Sequence, residues 1–324
     1  MQATNLSNPN TDLNAEAPTL VGIARGGGRR FWSFITANPK ITFGLGVVLL
    51  FVLIAIAAPL LTPYGPEQKV AADSFAPSAA HILGTTGLGD DLFSQLVYGA
   101  RVSLLIGFVA AIGSTILQVI FGVSAGYFGG LIDEVLSLIT NIFLVLPGLP
   151  LAIVLAALAS GANAANKNEF VIALVLLFTS WSYGARVLRA QTLSIKEREF
   201  VAASRATGES ALRIIFFEIV PNEVALVAST FVGTFVYAIG AEVALEFLGL
   251  GDASQASWGT ILFWAQNNAA LITGQWWQFV PAGLCVAILC AALTFVNFGI
   301  DEIANPNLRR EKLPRAQKQK KAAA

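Results

Sequence analysis

Ile41-Thr-Phe-Gly-Leu-Gly-Val-Val-Leu-Leu-Phe-Val-Leu-Ile-Ala-Ile-Ala-Ala-Pro-Leu-Leu61 runs for 21 residues without a charge. A helix rises 1.5 Å per residue, so about 20 apolar residues cross a hydrocarbon core of ~30 Å. The run begins forty residues into the chain and is longer than the roughly 7–15 apolar residues of a cleaved signal. It reads as a retained membrane span. Further apolar runs follow at Val102–Ala125, Leu131–Leu158, Phe170–Leu188, Val224–Phe247 and Phe279–Phe298. The expected fold is therefore all-α: a polytopic membrane protein with six transmembrane helices and both termini on one side.

Composition agrees with that reading. Of 324 residues, 55% are hydrophobic and 12% charged, and the mean hydropathy is +0.68; soluble domains carry about a quarter charged residues. The organisation expected is a polar, partly disordered tail over 1–40, a first span over 41–61 and an outer loop over 62–101. A five-helix core over 102–298 follows, interrupted by a charged segment at 189–223, and a basic tail closes the chain at 299–324. With the N-terminus inside, seventeen of the twenty Lys and Arg fall on the inner side, and only Lys69, Arg101 and Lys167 outside. The positive-inside rule then places both termini in the cytoplasm, and the basic tail has the charge to touch anionic lipid. The net charge is zero, so nothing here calls for nucleic acid.

Catalytic and metal chemistry are not legible. No GxxxxGK[ST] stretch exists to cradle nucleotide phosphates, and no nucleophile stands beside a base. Cys285 and Cys290 lie five apart in an apolar run, on different faces of a helix. His81 is the one histidine and reads as a loop or cap residue. The expectation is a chain that is no enzyme by itself and binds no metal. Within the spans, Gly122 and Gly126 form a small-xxx-small pair that lets another helix approach. Pro147 and Pro150 flank Gly148 in the third span, where a kink or opening is expected. Two readings stand for it, a broken helix lining a path and a kink packed against its neighbours.

The central segment is the most informative: Lys196-Glu-Arg-Glu-Phe-Val-Ala-Ala-Ser-Arg-Ala-Thr-Gly208-Glu-Ser-Ala-Leu-Arg-Ile-Ile-Phe-Phe-Glu-Ile-Val-Pro221-Asn222. It predicts a helix over 197–206, a reversal at Gly208, which tolerates positive φ, and a second helix from Ser210 to Val220. Pro221 is expected to break the chain before the next span. Ala202, Ala203 and Ser204 keep the first helix slim. Such a pair suits docking into another protein's groove, and an amphipathic connector is the alternative.

This segment resembles the EAA loop of binding-protein-dependent ABC importer permeases, with Ala202-Ala203-Ser204 at the Glu-Ala-Ala positions, Gly208 at the glycine and Val220-Pro221 at the Leu-Pro. The first acid is missing, though Glu199 lies one turn earlier. A second stretch, His81-Ile-Leu-Gly-Thr-Thr-Gly-Leu-Gly-Asp-Asp-Leu-Phe-Ser-Gln-Leu-Val-Tyr-Gly-Ala-Arg-Val-Ser-Leu104, resembles a peptide/nickel permease signature of the C-type subunit. That signature runs Leu-Gly-Thr-Asp-x-x-Gly-Arg-Asp-x-x-Ser-Arg-x-x-x-Gly-Ala-Arg-x-Ser-Leu. Thr86 stands for its aspartate, Asp90 for its first arginine and Gln95 for its second. Further matches are Asn38-Pro39, Ala58-Pro59-Leu60-Leu61, Glu246-Phe-Leu-Gly-Leu-Gly-Asp252, Ser257-Trp-Gly259 and the closing Asp301-Glu-Ile-Ala-Asn-Pro-Asn-Leu-Arg309.

The resemblance implies a permease of the bacterial cytoplasmic membrane that pairs with a second, homologous permease. Two ABC ATPase subunits, which hold the ATP and Mg, sit beneath, and an extracytoplasmic solute-binding protein delivers cargo. Glu199, Ala202, Ala203, Ser204, Arg205, Gly208 and Pro221 are then the coupling residues. For the path, Glu242 and Glu246 share one helix face near the outer end of the fifth span, where water-facing and packed positions both remain open. Asp133 and Glu134 open the third span, where a helix N-terminus favours acids. The outer loop carries Trp258, Trp264, Asn267, Trp276 and Trp277, either interfacial anchors or an aromatic-plus-amide surface for neutral solutes. Oligopeptides and oligosaccharides stand level as cargo, nickel fits less with one histidine, and an ATPase-independent transporter is the rival class.

Overall fold

The computed structural model describes residues 38–161 and 168–304, whose regular elements are helices, with two isolated β-bridges. The two tails and Lys167 lie outside the described residues. The helices are α1 (Pro39–Ile56), α2 (Ala58–Leu61), α3 (Leu92–Phe128), α4 (Gly130–Val145), α5 (Gly148–Ser160), α6 (Glu169–Ser180), α7 (Ser182–Ile195), α8 (Glu199–Ala206), α9 (Ala211–Ile214), α10 (Val220–Phe247), α11 (Trp258–Asn267) and α12 (Val280–Ala304). Among the described residues, five helices or continuous helix runs are long and apolar enough to cross a membrane, and six if a bent pair counts as one.

The central helix is α3, which packs along α7 and α10. It starts ten residues earlier than the apolar run suggests, because Asp91 caps it: the carboxylate accepts from Ser94 N at 2.9 Å and lies 2.9 Å from His81 Nδ1. His81 thus serves the cap. Gly122 and Gly126 make the close approach expected of them. A Cβ on Gly122 would meet Ala185 O at 2.4 Å, and one on Gly126 would meet Thr192 Cβ at 2.7 Å. Both glycines are therefore the surface on which α7 rests.

The third span is broken. Its halves α4 and α5 meet at 91°. Pro147 has no N–H to continue the helix, and its ring would strike the carbonyl one turn back. Pro150 then falls in the first turn of α5, where N–H groups have no intrahelical partner. Asp133 ties α4 to α7 through a two-pronged bond with Arg189, at 2.5 and 2.7 Å, and also accepts from Ser137 at 2.8 Å. Glu134 beside it is exposed.

At Pro221 the expectation fails. There is no break: residues 211–247 form one continuous span of 37 residues. The reason is a wide π turn over Ile215–Ile219, closed by Val220 N–H on Ile215 O. Such a turn widens the backbone just where the proline ring would otherwise meet the Phe217 carbonyl. Pro221 then occupies the first turn of α10, where its missing donor costs nothing.

Candidate functional site

Helix α8 covers Glu199–Ala206, two residues shorter at its start than expected. It ends in a Schellman arrangement: Gly208 N donates to Arg205 O at 3.0 Å and Glu209 N to Ser204 O at 3.2 Å. That closure needs a left-handed residue, and Gly208 supplies it with φ +81°. Ser210 then caps α9 by accepting from Arg213 N at 3.4 Å, and Arg213 pairs with Glu209. The reversal is thus hydrogen-bonded on both sides.

One face of α8 is anchored and the other is bare. Val201 is fully buried against Val123 of α3, Ile195 of α7, and Ile214, Ile215 and Ile219. Burying a valine in this way stabilises by roughly 1.5–3 kcal/mol. Glu199, Ala202, Ala203, Arg205 and Ala206 are exposed, and Ser204 is half-buried with its hydroxyl on Phe200 O at 3.1 Å. Arg205 lies over the Tyr127 ring at 5.2 Å. The small exposed side chains leave the backbone of α8 open to close approach by another surface. Six of the seven expected coupling residues belong to this reversal; Pro221 does not, lying in the shaft of the next helix. Val201 was missed: it stands between Phe200 and Ala202, and nothing in that local run marks which apolar residue turns inward.

A cavity of about 650 Å³ opens beside the break between α4 and α5. Leu146 and Gly148 from the break face Tyr237 and Thr234 of α10 across it, with Thr179 and Ser182 at the α6–α7 junction. Near its α12 wall, Ser229 Oγ lies 2.9 Å from Asn297 Oδ1 and 2.7 Å from Asp301 Oδ1. The broken helix therefore lines a cavity beside its break. The polar wall residues were not foreseen, because single hydroxyls and amides scattered over four helices carry no spacing signal.

Glu242 and Glu246 are not part of that cavity. Both are buried: Glu242 Oε1 accepts from Ser103 Oγ at 3.0 Å, and Glu246 accepts from Ser257 Oγ. Of the two positions left open for these path candidates, the packed one is found, between α3, α10 and the start of α11. Trp258, expected on an outer surface, is 0% exposed. Its Nε1 donates to Leu96 O at 3.1 Å and its ring meets Phe51 edge-on at 5.6 Å. Trp264 is half-buried, with Nε1 on Ala253 O at 3.0 Å.

The amides of that loop are largely turned inward. Ser74 Oγ donates to Gln275 Oε1 at 2.8 Å and accepts from Gln278 Nε2 at 2.9 Å. Asn267 is exposed but its amide donates to Phe263 O at 2.8 Å. Trp277 is half-buried against Gly84. What remains open is Trp276, 53% exposed, beside Leu271 and Ile272 at 76% and 88%. Much of the aromatic-plus-amide set is thus engaged within the chain: Gln275 and Gln278 meet at Ser74, and Trp258, Trp264 and Asn267 donate to backbone carbonyls.

Residues 118–310 match the family described as binding-protein-dependent transport system inner membrane component, and residues 28–77 match the N-terminal TM domain of oligopeptide transport permease C. The dipeptide transport system permease protein DppC of Bacillus subtilis (strain 168) is 32% identical over 303 residues, 93% of this chain and 92% of that protein. The oligopeptide transport system permease protein OppC of the same organism is 34% identical, over 85% of this chain and 88% of its own. OppC of Mycobacterium tuberculosis (strain CDC 1551 / Oshkosh) is likewise 34% identical, over 79% and 87%. Among solved structures, a chain of the inward-facing MetNI methionine ABC transporter superposes with a TM-score of 0.51 at 17% identity, covering 66% of this chain and 97% of that one. That last likeness is one of fold.

Proposed function

The chain belongs to the binding-protein-dependent transport system inner membrane component family and is a multi-pass permease subunit of an ABC importer; from that premise we propose that its cargo is peptides and that the 199–219 segment couples it to an ATPase. The peptide reading is supported by the relatives, which are dipeptide and oligopeptide permeases. The reading that the charged end at 189–223 faces the cytoplasm is supported by the distribution of Lys and Arg. ATP and Mg are held by the partner ATPases, a second permease completes the path, and a solute-binding protein delivers cargo to the opposite face.

One observation carries the coupling mechanism: α8 is fixed through Val201 to the base of an unbroken run, 211–247. At 1.5 Å per residue that run is a lever of about 55 Å. Its middle carries Ser229, Thr234 and Tyr237 into the central cavity. A displacement imposed on α8 by closure of an ATPase is thereby delivered to the cavity wall. The cavity is the path that this motion opens to one side or the other. A ligand shifts such an equilibrium only by its differential affinity for the two states, so the contact on α8 must differ between ATP-bound and ATP-free partners.

The test is uptake of labelled tripeptide and labelled cello-oligosaccharide by cells with and without the gene. Loss of peptide uptake alone is expected. Loss of sugar uptake alone would overturn the cargo reading and leave the permease standing.

A further inference from the structure

Where α3, α4 and α7 meet toward the 189–223 end, a pocket of about 170 Å³ is walled in part by Ser137, Thr140, Asn141, Arg186 and Arg189. No carboxylate lines it. Arg189 is fixed by Asp133, in a pairing that uses two of its five N–H donors and neutralises its charge. The hydroxyls of Ser137 and Thr140 donate to Asp133 Oδ1 and Leu136 O. Arg186 and Asn141 differ: among the described residues neither has a hydrogen bond or an ion pair. The pocket thus offers one unpaired positive charge, a free amide, and the spare donors of a guanidinium already held in place.

Its level in the membrane follows from the apolar runs. Phe121 and Ala125 close the run over 102–125, and Ala185, Arg186 and Arg189 stand at the end of the run over 170–188. Arginines at the ends of spans reach toward the headgroups from there. The pocket is also off the path. On α7, Ser182, Tyr183, Gly184 and Val187 face the central cavity, whereas Ala185, Arg186 and Arg189 face this pocket. Beside its polar row, α4 exposes Leu131, Val135, Leu138 and Ile142, three or four residues apart and so on one helix face. Donors for an anion and a surface for acyl chains therefore lie side by side. A phosphodiester carries one negative charge, several acceptor oxygens and no donor, which is the complement of this wall.

We propose that this pocket holds the phosphodiester headgroup of an anionic phospholipid, in the leaflet on the 189–223 side, with its acyl chains along the exposed stripe of α4. Arg186 supplies the net charge, and Arg189, positioned by Asp133, supplies oriented donors. Basic pockets between spanning helices are a known seat for such headgroups. The site needs no assumption about cargo or coupling.

The experiment takes the whole transporter, stripped of lipid in detergent, and counts bound lipids by native mass spectrometry. Dioleoylphosphatidylglycerol and dioleoylphosphatidylcholine are titrated separately; they share acyl chains and phosphate but differ in net charge. The native transporter should bind the phosphatidylglycerol several-fold more tightly. Arg186→Gln should weaken that binding by about fivefold, the usual worth of one basic side chain toward anionic lipid, and leave phosphatidylcholine binding unchanged. Because Arg186 is exposed, its thermal transition should stay native. Arg186→Lys, which keeps the charge, should retain most of the preference. Arg101→Gln removes a positive charge near the opposite end and should change nothing. No preference in the native transporter, as when a second permease covers the pocket, would overturn the site. So would native affinity in Arg186→Gln, or an equal loss in Arg101→Gln, which would reduce the effect to overall charge. Displacement of phosphatidylglycerol by millimolar inorganic phosphate would make it a soluble-anion site, and displacement by tripeptide would make it part of the path; either result refutes the lipid assignment.

Discussion

The two ends of this molecule use similar residues to opposite purpose. At the 189–223 end, one buried valine holds a helix whose Glu199, Ala202 and Ala203 stay exposed, while Arg205 lies over the Tyr127 ring. At the 62–91 and 248–278 end, tryptophans and amides look like a recognition surface in the sequence, yet Trp258, Gln275 and Gln278 are consumed by internal bonds. What separates the two is whether a polar or aromatic group has already found its partner within the chain. Residue type alone cannot report that. Unspent bonding capacity marks the working surface better than the presence of functional side chains.

The largest effect that would break the contrast is at Gly208. Its φ of +81° is closed to proline, whose ring holds φ near −65°, and Gly208→Pro also removes the N–H that closes α8 on Arg205 O. Peptide uptake should fall to background while the protein still inserts and the ATPases still hydrolyse ATP. Ala203→Trp should do the same by filling the bare face of α8 without touching the backbone. Normal uptake by both variants at normal expression would remove the coupling assignment.

At the other end the expected loss is of stability rather than coupling. Trp258→Ala should cost about 3–5 kcal/mol, the usual range for deleting a fully buried tryptophan, seen as an early thermal transition of the purified protein. A smaller effect is expected of Val201→Ala, about 2 kcal/mol of lost burial. Its consequence should be uneven: global unfolding shifts modestly, while uptake per ATP hydrolysed falls because α8 is loosened from its lever. A Val201→Ala protein with native coupling would mean that α8 is held by the partner ATPase and not by this chain.

Much of the architecture was legible because a membrane asks only for length and apolarity, and the apolar runs meet that demand on their own. The two glycines of α3 were legible because close approach forbids a Cβ. Pro147 and Pro221 show where legibility ends. Both interrupt apolar helices, yet one breaks its span by 91° and the other is absorbed by a π turn. The difference lies in backbone register before the ring, which side-chain pattern does not encode. The cavity was illegible for a different reason. Ser229 meets Asn297 and Asp301 across some seventy residues, and no local spacing announces such a meeting. The departures at Thr86 and Asp90 also acquire meaning only in three dimensions, where Lys69 from another part of the loop supplies the base that the signature places at 90.

The smallest expected effect sharpens the contrast most cleanly. Trp276 sits in the same loop as Trp258 but is 53% exposed, next to Leu271 and Ile272. Its ring meets Trp277 edge-on at 6.2 Å. If internal commitment is what gives the loop its tryptophans a structural role, Trp276→Ser should change stability by no more than about 0.5 kcal/mol, as exposed substitutions do. Thermal unfolding of the purified protein measures this directly beside Trp258→Ala. Peptide uptake should also persist, since the residue lies outside the wall of the 650 Å³ cavity. A loss of stability close to that of Trp258→Ala would show that exposure in the isolated chain is a poor guide to commitment at this end. A loss of uptake with stability unchanged would instead move the working surface outward, to the apolar tip formed by Leu271, Ile272 and Trp276.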